Sequence, residues 1–144
     1  TLKLAEIDNI IGIKEASGDL GQVSSICASA PEKFVVYSGD DYLTLPMLSI
    51  GAKGVISIAS HFVGNDIKKM INSFFAGEIS KAAKIHQDLF PLFKGLFMTT
   101  NPIPLKAALN MMGIKVGNPR LPLNPLSEDL LPAMHSLLRS YGLV

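Results

Sequence analysis

Three short apolar, β-branched runs punctuate the first part of the chain: Ile10-Ile11-Gly12-Ile13, Phe34-Val35-Val36-Tyr37 and Gly54-Val55-Ile56-Ser57-Ile58. Their hydrophobicity is near-continuous rather than alternating, which is the pattern of strands buried on both faces in a parallel sheet. Each run leads into a turn and then a helical pattern. Ser17-Gly18-Asp19 precedes a helix over 20–30 that Pro31 stops, and Ser38-Gly39-Asp40-Asp41 precedes a helix ending near Gly51. After the third run, Gly64-Asn65-Asp66 introduces a helix reaching about Phe75 and closed by Gly77. Strand alternating with helix in this way predicts right-handed βαβ units. From Glu78 onward the pattern is helical only, over 79–98, 103–112 and 129–141, with Pro-rich segments between. The expected organisation is therefore 1–78 as βα units of an α/β fold and 79–144 as a helical region. The chain opens on Thr1 inside what reads as the tail of a helix, 2–7, so a fragment of something larger is expected. Three strands do not close a barrel, which takes eight strands and roughly 250 residues. An open three-stranded sheet would leave unpaired edges.

Composition changes this picture little. The 144 residues are 48% hydrophobic and 17% charged, one domain's worth of material with ample core. A net charge of +1, scattered basic residues and no Trp offer no footprint for nucleic acid. One cysteine, Cys27, forms no internal disulfide and belongs to no metal-ligand spacing, which fits a reducing cytoplasm. No apolar run approaches the ~18 residues that span a membrane.

Chemistry concentrates where the expected strands end. Lys14 follows the first strand at its C-terminal end, where parallel α/β folds place their sites. Dehydration there favours the neutral amine, a nucleophile able to attack a ketone and form an iminium that serves as an electron sink. The competing reading is an ion pair between Lys14 and Glu15. Gly39, ending the second strand, allows a close backbone approach or simply a turn. Asp41 is placed to cap the helix that follows it. Ile56 can only pack through its side chain, but its carbonyl could face the mouth of a barrel. His61, His86 and His135 share no spacing that suggests a metal or a triad. The apolar stretch from Phe90 to Met98 reads as packing surface, and the helix from Leu20 with the apolar turn near Ile50 as candidate subunit contacts.

The string Gly12-Ile13-Lys14-Glu15-Ala16-Ser17-Gly18-Asp19 resembles the Schiff-base segment of the dihydrodipicolinate synthases. Ser38-Gly39-Asp40-Asp41, Gly51-Ala52-Lys53-Gly54-Val55-Ile56-Ser57 and Asn101-Pro102-Ile103-Pro104-Leu105-Lys106 follow in that family's order. The resemblance implies the C-terminal part of a (β/α)8 TIM barrel, about strands six to eight, followed by a helical C-terminal extension. It implies that Lys14 condenses with pyruvate, and that the resulting enamine attacks aspartate semialdehyde on the route to diaminopimelate and lysine. Ile56 would give a backbone contact to the pyruvate moiety and Gly39 would line the pocket near the substrate carboxylate. No metal or organic cofactor is implied, and the expected assembly is a cytoplasmic homo-oligomer, a tetramer. The family's relay tyrosine and threonine, its carboxylate-binding Thr pair and its semialdehyde-binding arginine belong to the barrel's first half; Thr99-Thr100 does not match that pair. A partner supplying that missing N-terminal half is thus implied. Other pyruvate aldolases, such as N-acetylneuraminate lyase or a keto-deoxy sugar acid aldolase, and a non-catalytic half-barrel interaction module are the alternatives.

Overall fold

The computed structural model describes residues 1–144. In chain order the elements are α1 (Leu2–Ala5), β1 (Gly12–Glu15), α2 (Leu20–Ser29), β2 (Val35–Ser38), a 3-10 turn (Asp41–Leu43), α3 (Thr44–Ser49), β3 (Gly54–Val55), α4 (Ser60–Phe75), α5 (Ile79–Gly95), α6 (Ile103–Met111) and α7 (Leu131–Ser140). The strands form one parallel sheet in the order β1-β2-β3, as the alternation of strand and helix requires. Two compact units divide the chain, Thr1–Gln87 and Asp88–Val144. No helix is long and apolar enough to cross a membrane.

In the first unit the register sorts the strand residues between two faces. Glu15 pairs with Ser38, and Ser38 with Val55; on the opposite face Lys14 pairs with Tyr37, and Tyr37 with Gly54. The first face is covered, since Glu15, Val36 and Ser38 are buried and Val36 joins Ala5, Val23, Ile26, Phe34, Met47 and Ala52 in the core. The second is open: Lys14 and Ile56 are exposed and Val35 and Tyr37 only half-buried. The expectation that the strands are buried on both faces is therefore corrected, because within this chain helices pack against one face only.

Strand lengths also depart from the hydrophobic runs. The third run covers five residues from Gly54 to Ile58, but β3 ends at Val55. Ile56 N–H still donates to Ser38 O at 2.9 Å, continuing the ladder by one bond. Beyond it the backbone turns because Asp41 accepts from the amides of Ile58 and Ala59, at 3.2 and 3.0 Å, and removes them from any strand. Helix starts are mixed: Gly64-Asn65-Asp66, expected as the turn before a helix, lies inside α4, which begins at Ser60, whereas α2 starts where its cap predicts. Asp19 accepts from Gly21 N–H and Gln22 N–H at 2.8 and 3.1 Å, satisfying amides that the first turn of α2 leaves without partners.

In the second unit α6 packs on α7, with Leu92, Phe93, Leu96, Met134 and Leu138 fully buried. The packing role expected of the stretch around Phe93 holds for its inward residues, while Phe90 and Phe97 stay exposed.

Candidate active site

The C-terminal ends of β1, β2 and β3 bring Lys14, Gly39 and Ile56 to the same end of the sheet. Lys14 is the third residue of β1 and lies on the open face, while its neighbour Glu15 turns to the covered one. There the Glu15 carboxylate accepts from Ser17 N–H and from Gln22 Nε2, both at 3.0 Å. Strand alternation thus separates the two side chains, and the alternative of a Lys14–Glu15 ion pair is set aside. Lys14 is exposed. The dehydration expected at a strand end is not provided by residues 1–144, because no element of the chain covers that face.

Gly39 lies directly beside the lysine. Its amide donates to Glu15 O at 2.6 Å, and a Cβ built on it would stand 2.6 Å from Ala16 Cβ and 3.2 Å from Lys14 Cε. The requirement for glycine comes from this close approach, since Gly39 is not among the residues with positive φ. Behind it, Ser38 Oγ donates to Asp40 O at 2.7 Å and accepts from Asp40 N–H at 3.1 Å, while Thr44 Oγ1 donates to the same carbonyl at 3.1 Å. The turn that carries Gly39 is therefore fixed by side chains from its own ends.

Ile56 is 51% exposed, which overturns the core packing its sequence context suggests. Its side chain stands on the open face two residues after Gly54.

Three further residues matter to this site: Tyr37, which the sequence did not single out, Glu15, considered only as an ion-pair partner, and Asp41, expected as a helix cap. Tyr37 is the register partner of Lys14, and its ring lies over Gly54, with Cε1 and Cδ1 at 3.1 and 3.2 Å from where a Cβ would be. Pairing register is the missing signal; without it a tyrosine in an apolar run carries no positional information. Glu15 anchors the turn after β1. Asp41, only 1% exposed, does not cap α3, whose start has no side-chain cap. It reaches instead to the turn before α4, because its buried side chain points across the strand ends rather than along its own helix.

The remaining candidates are dispersed. His61, His86 and His135 lie on α4, α5 and α7, and no three His, Cys, Asp or Glu side chains converge as a metal site. His61 Nδ1 lies 2.8 Å from Ile58 O, a local contact at the start of α4. Burial pushes the Cys27 thiol up, partly offset by the Lys53 ammonium, the opposite of what activates a nucleophilic thiolate. A cleft of about 500 Å³ in the second unit, walled by Lys106, Asn110, Asn118 and Glu128, contains none of the three strand-end residues.

The Dihydrodipicolinate synthetase family model matches residues 1–141. The 4-hydroxy-tetrahydrodipicolinate synthase of Desulforudis audaxviator is 54% identical over 142 residues, covering 99% of this chain and 48% of that protein. That of Heliobacterium modesticaldum is also 54% identical, over 98% of this chain and 47% of its own length. Among solved structures, the lysine-bound dihydrodipicolinate synthase of Cyanidioschyzon merolae superposes with a TM-score of 0.95 at 44% identity, covering 99% of this chain and 49% of that one. The Aquifex aeolicus enzyme gives 0.94 at 41% identity, with 99% and 49% covered. The chain spans about half the length of the relatives it matches. The likeness bears out the expected fold class, the C-terminal part of a (β/α)8 barrel followed by helices.

Proposed function

The chain belongs to the dihydrodipicolinate synthetase family, and from that membership we propose that it supplies the amine-bearing half of a barrel that condenses pyruvate with L-aspartate 4-semialdehyde. The observation that carries this is the placement of Lys14: it stands on the open face at the end of a parallel strand, free of Glu15 and against Gly39. A barrel completed over that face would exclude water from the amine and favour its neutral, nucleophilic form.

The chemistry then follows from the amine. Lys14 Nζ adds to the pyruvate ketone, and loss of water leaves an iminium. The positive nitrogen draws the electron pair left when a methyl proton departs, giving an enamine. Its terminal carbon forms the new bond to the semialdehyde carbonyl, whose oxygen takes a proton, and the iminium is restored. The semialdehyde's own amino group then attacks the iminium carbon, closing the ring and expelling Lys14 as the free amine to give 4-hydroxy-tetrahydrodipicolinate. The lysine is itself the electron sink, so the step calls for no organic cofactor or metal. Gly39 lines the pocket near the substrate carboxylate, and the carbonyl of Ile56 contacts the pyruvate moiety. Proton transfer and carboxylate binding fall to the barrel's first half, the partner this chain requires. The working form is a cytoplasmic homo-oligomer, a tetramer.

Borohydride reduction in the presence of pyruvate, followed by peptide mapping, tests the proposal. A reduced adduct confined to Lys14, lost in Lys14→Ala, is expected once the complementary half is present. Absence of any adduct in that assembly, or an adduct on another lysine, would sink it.

A further inference from the structure

Asp41 is one of the few charged side chains the fold buries, at 1% exposure. It follows Gly39 by two residues, yet both of its hydrogen bonds go to another segment: Oδ2 accepts from Ile58 N–H at 3.2 Å and Ala59 N–H at 3.0 Å. Those amides lie two and three residues after Ile56. The backbone of Ile56 is held on its strand side by the bond from its N–H to Ser38 O, at 2.9 Å. The turn beyond it is held by Asp41, with Ser60 N–H donating to Ser57 Oγ at 2.8 Å and Ser60 Oγ donating to Ser57 O at 3.0 Å.

We infer that Asp41 is a positioning residue that locks the Gly39 turn to the turn after Ile56, and so sets where the Ile56 carbonyl meets pyruvate. This deepens the proposed function and rests on it for the contact between Ile56 and pyruvate. A carboxylate suits the task because its charge strengthens both bonds to backbone amides, and burial keeps water from competing for them. A serine or threonine hydroxyl at the same place would sit on a shorter arm and bring no negative charge to the two amides that Oδ2 serves. A carbonyl that contacts substrate is useful only when held to within a fraction of an ångström, and ~1 Å of displacement can cost up to ~100-fold.

The test uses this chain assembled with the first half of the barrel, and compares wild type with Asp41→Asn and Asp41→Ala. Asn keeps an acceptor for the two amides but loses the charge, whereas Ala removes both. Two readouts are followed: borohydride trapping at Lys14 against pyruvate concentration, and hydrogen exchange of the Ile58 and Ala59 amides. The expected result is a half-saturating pyruvate concentration raised ~10-fold in the Ala variant and less in the Asn variant. The maximal trapping rate should change less, and exchange at Ile58 and Ala59 should quicken in the same order. Unchanged exchange would overturn the claim that Asp41 holds the turn. Faster exchange with unaltered pyruvate dependence would overturn its link to the site. If the Ala variant does not fold, the Asn variant decides; trapping that falls only in proportion to folded protein in both assigns Asp41 to stability alone and overturns the inference. Failure of the wild type to trap pyruvate would instead remove the Schiff-base function, and this inference with it.

Discussion

Gly39 and Lys14 are packed side by side. A methyl group on Gly39 would meet Ala16 Cβ at 2.6 Å, Glu15 O at 3.0 Å and Lys14 Cε at 3.2 Å, and two of these neighbours are too rigid to yield without backbone movement. Gly39→Ala is therefore expected to cost about 1–3 kcal/mol of stability. In the assembled barrel it should also slow pyruvate trapping at Lys14 by ~10-fold or more. Urea unfolding and initial trapping rates check the two parts, and a wild-type trapping rate would show that the contact does not govern the amine. Residue by residue, the site was legible where chemistry and position coincide. A lysine ending an apolar strand, followed later by a strand-ending glycine, could be picked out from the chain. Tyr37 and Asp41 could not, because one depends on the register between β1 and β2 and the other on a side chain that skips its own helix. The choice between ion pair and free amine also waited on the strand's alternation, which sends Lys14 and Glu15 to opposite faces.

At the scale of an element, α5 shows what a proline inside a helix requires. Pro91 has no N–H to give and its ring crowds the preceding turn. One residue on, the Tyr141 hydroxyl donates to Asp88 O at 2.7 Å and accepts from Leu92 N–H at 3.3 Å, so it reaches both members of an i, i−4 pair. Tyr141 is the cap residue of α7, and its hydroxyl joins that helix end to α5 within the second unit. Tyr141→Phe removes both bonds and keeps the ring, so an expected loss of about 1–2 kcal/mol in urea unfolding isolates the hydroxyl; no loss would show that water replaces it freely. The same helix carries a pH dependence. Burial holds the His86 imidazole below its usual 6.5, so the unfolded chain binds this proton more readily than the folded one. The stability His86 contributes is complete above about 6.5 and declines as pH falls below it. Unfolding midpoints at pH 7.5 and pH 5 should therefore converge in His86→Gln; an unchanged gap would assign the dependence elsewhere. Helices such as α5 were legible from periodicity and from their Gly and Pro punctuation. Strand ends were not: the apolar run through Ile58 outlasts β3 because turn hydrogen bonds, which hydrophobicity does not encode, take over after Ile56.

For the whole molecule, the decisive feature is an apolar sheet covered on one face. Near-continuous hydrophobic runs predicted two buried faces, and the chain supplies cover for one; Ile56 at 51% exposure marks what is left. The strand order adds two unpaired edges, β1 and β3. An open face and two edges form a surface that pairs with further strands. The relatives, about twice as long, have the chain length for such strands. The apolar runs overstate what this chain itself buries, and under the barrel proposal the missing cover comes from the first half of the barrel. The isolated chain should consequently bind a hydrophobic dye and associate with rising concentration, measurable by sedimentation, and adding the first half of a barrel should suppress both. Suppression together with a Lys14 adduct would mean that one docking event buries the face and activates the amine. Suppression without an adduct would favour a half-barrel whose role is assembly. A chain that stays monomeric and dye-silent alone would show that its open face is not a docking surface, and the barrel proposal would lose its physical basis.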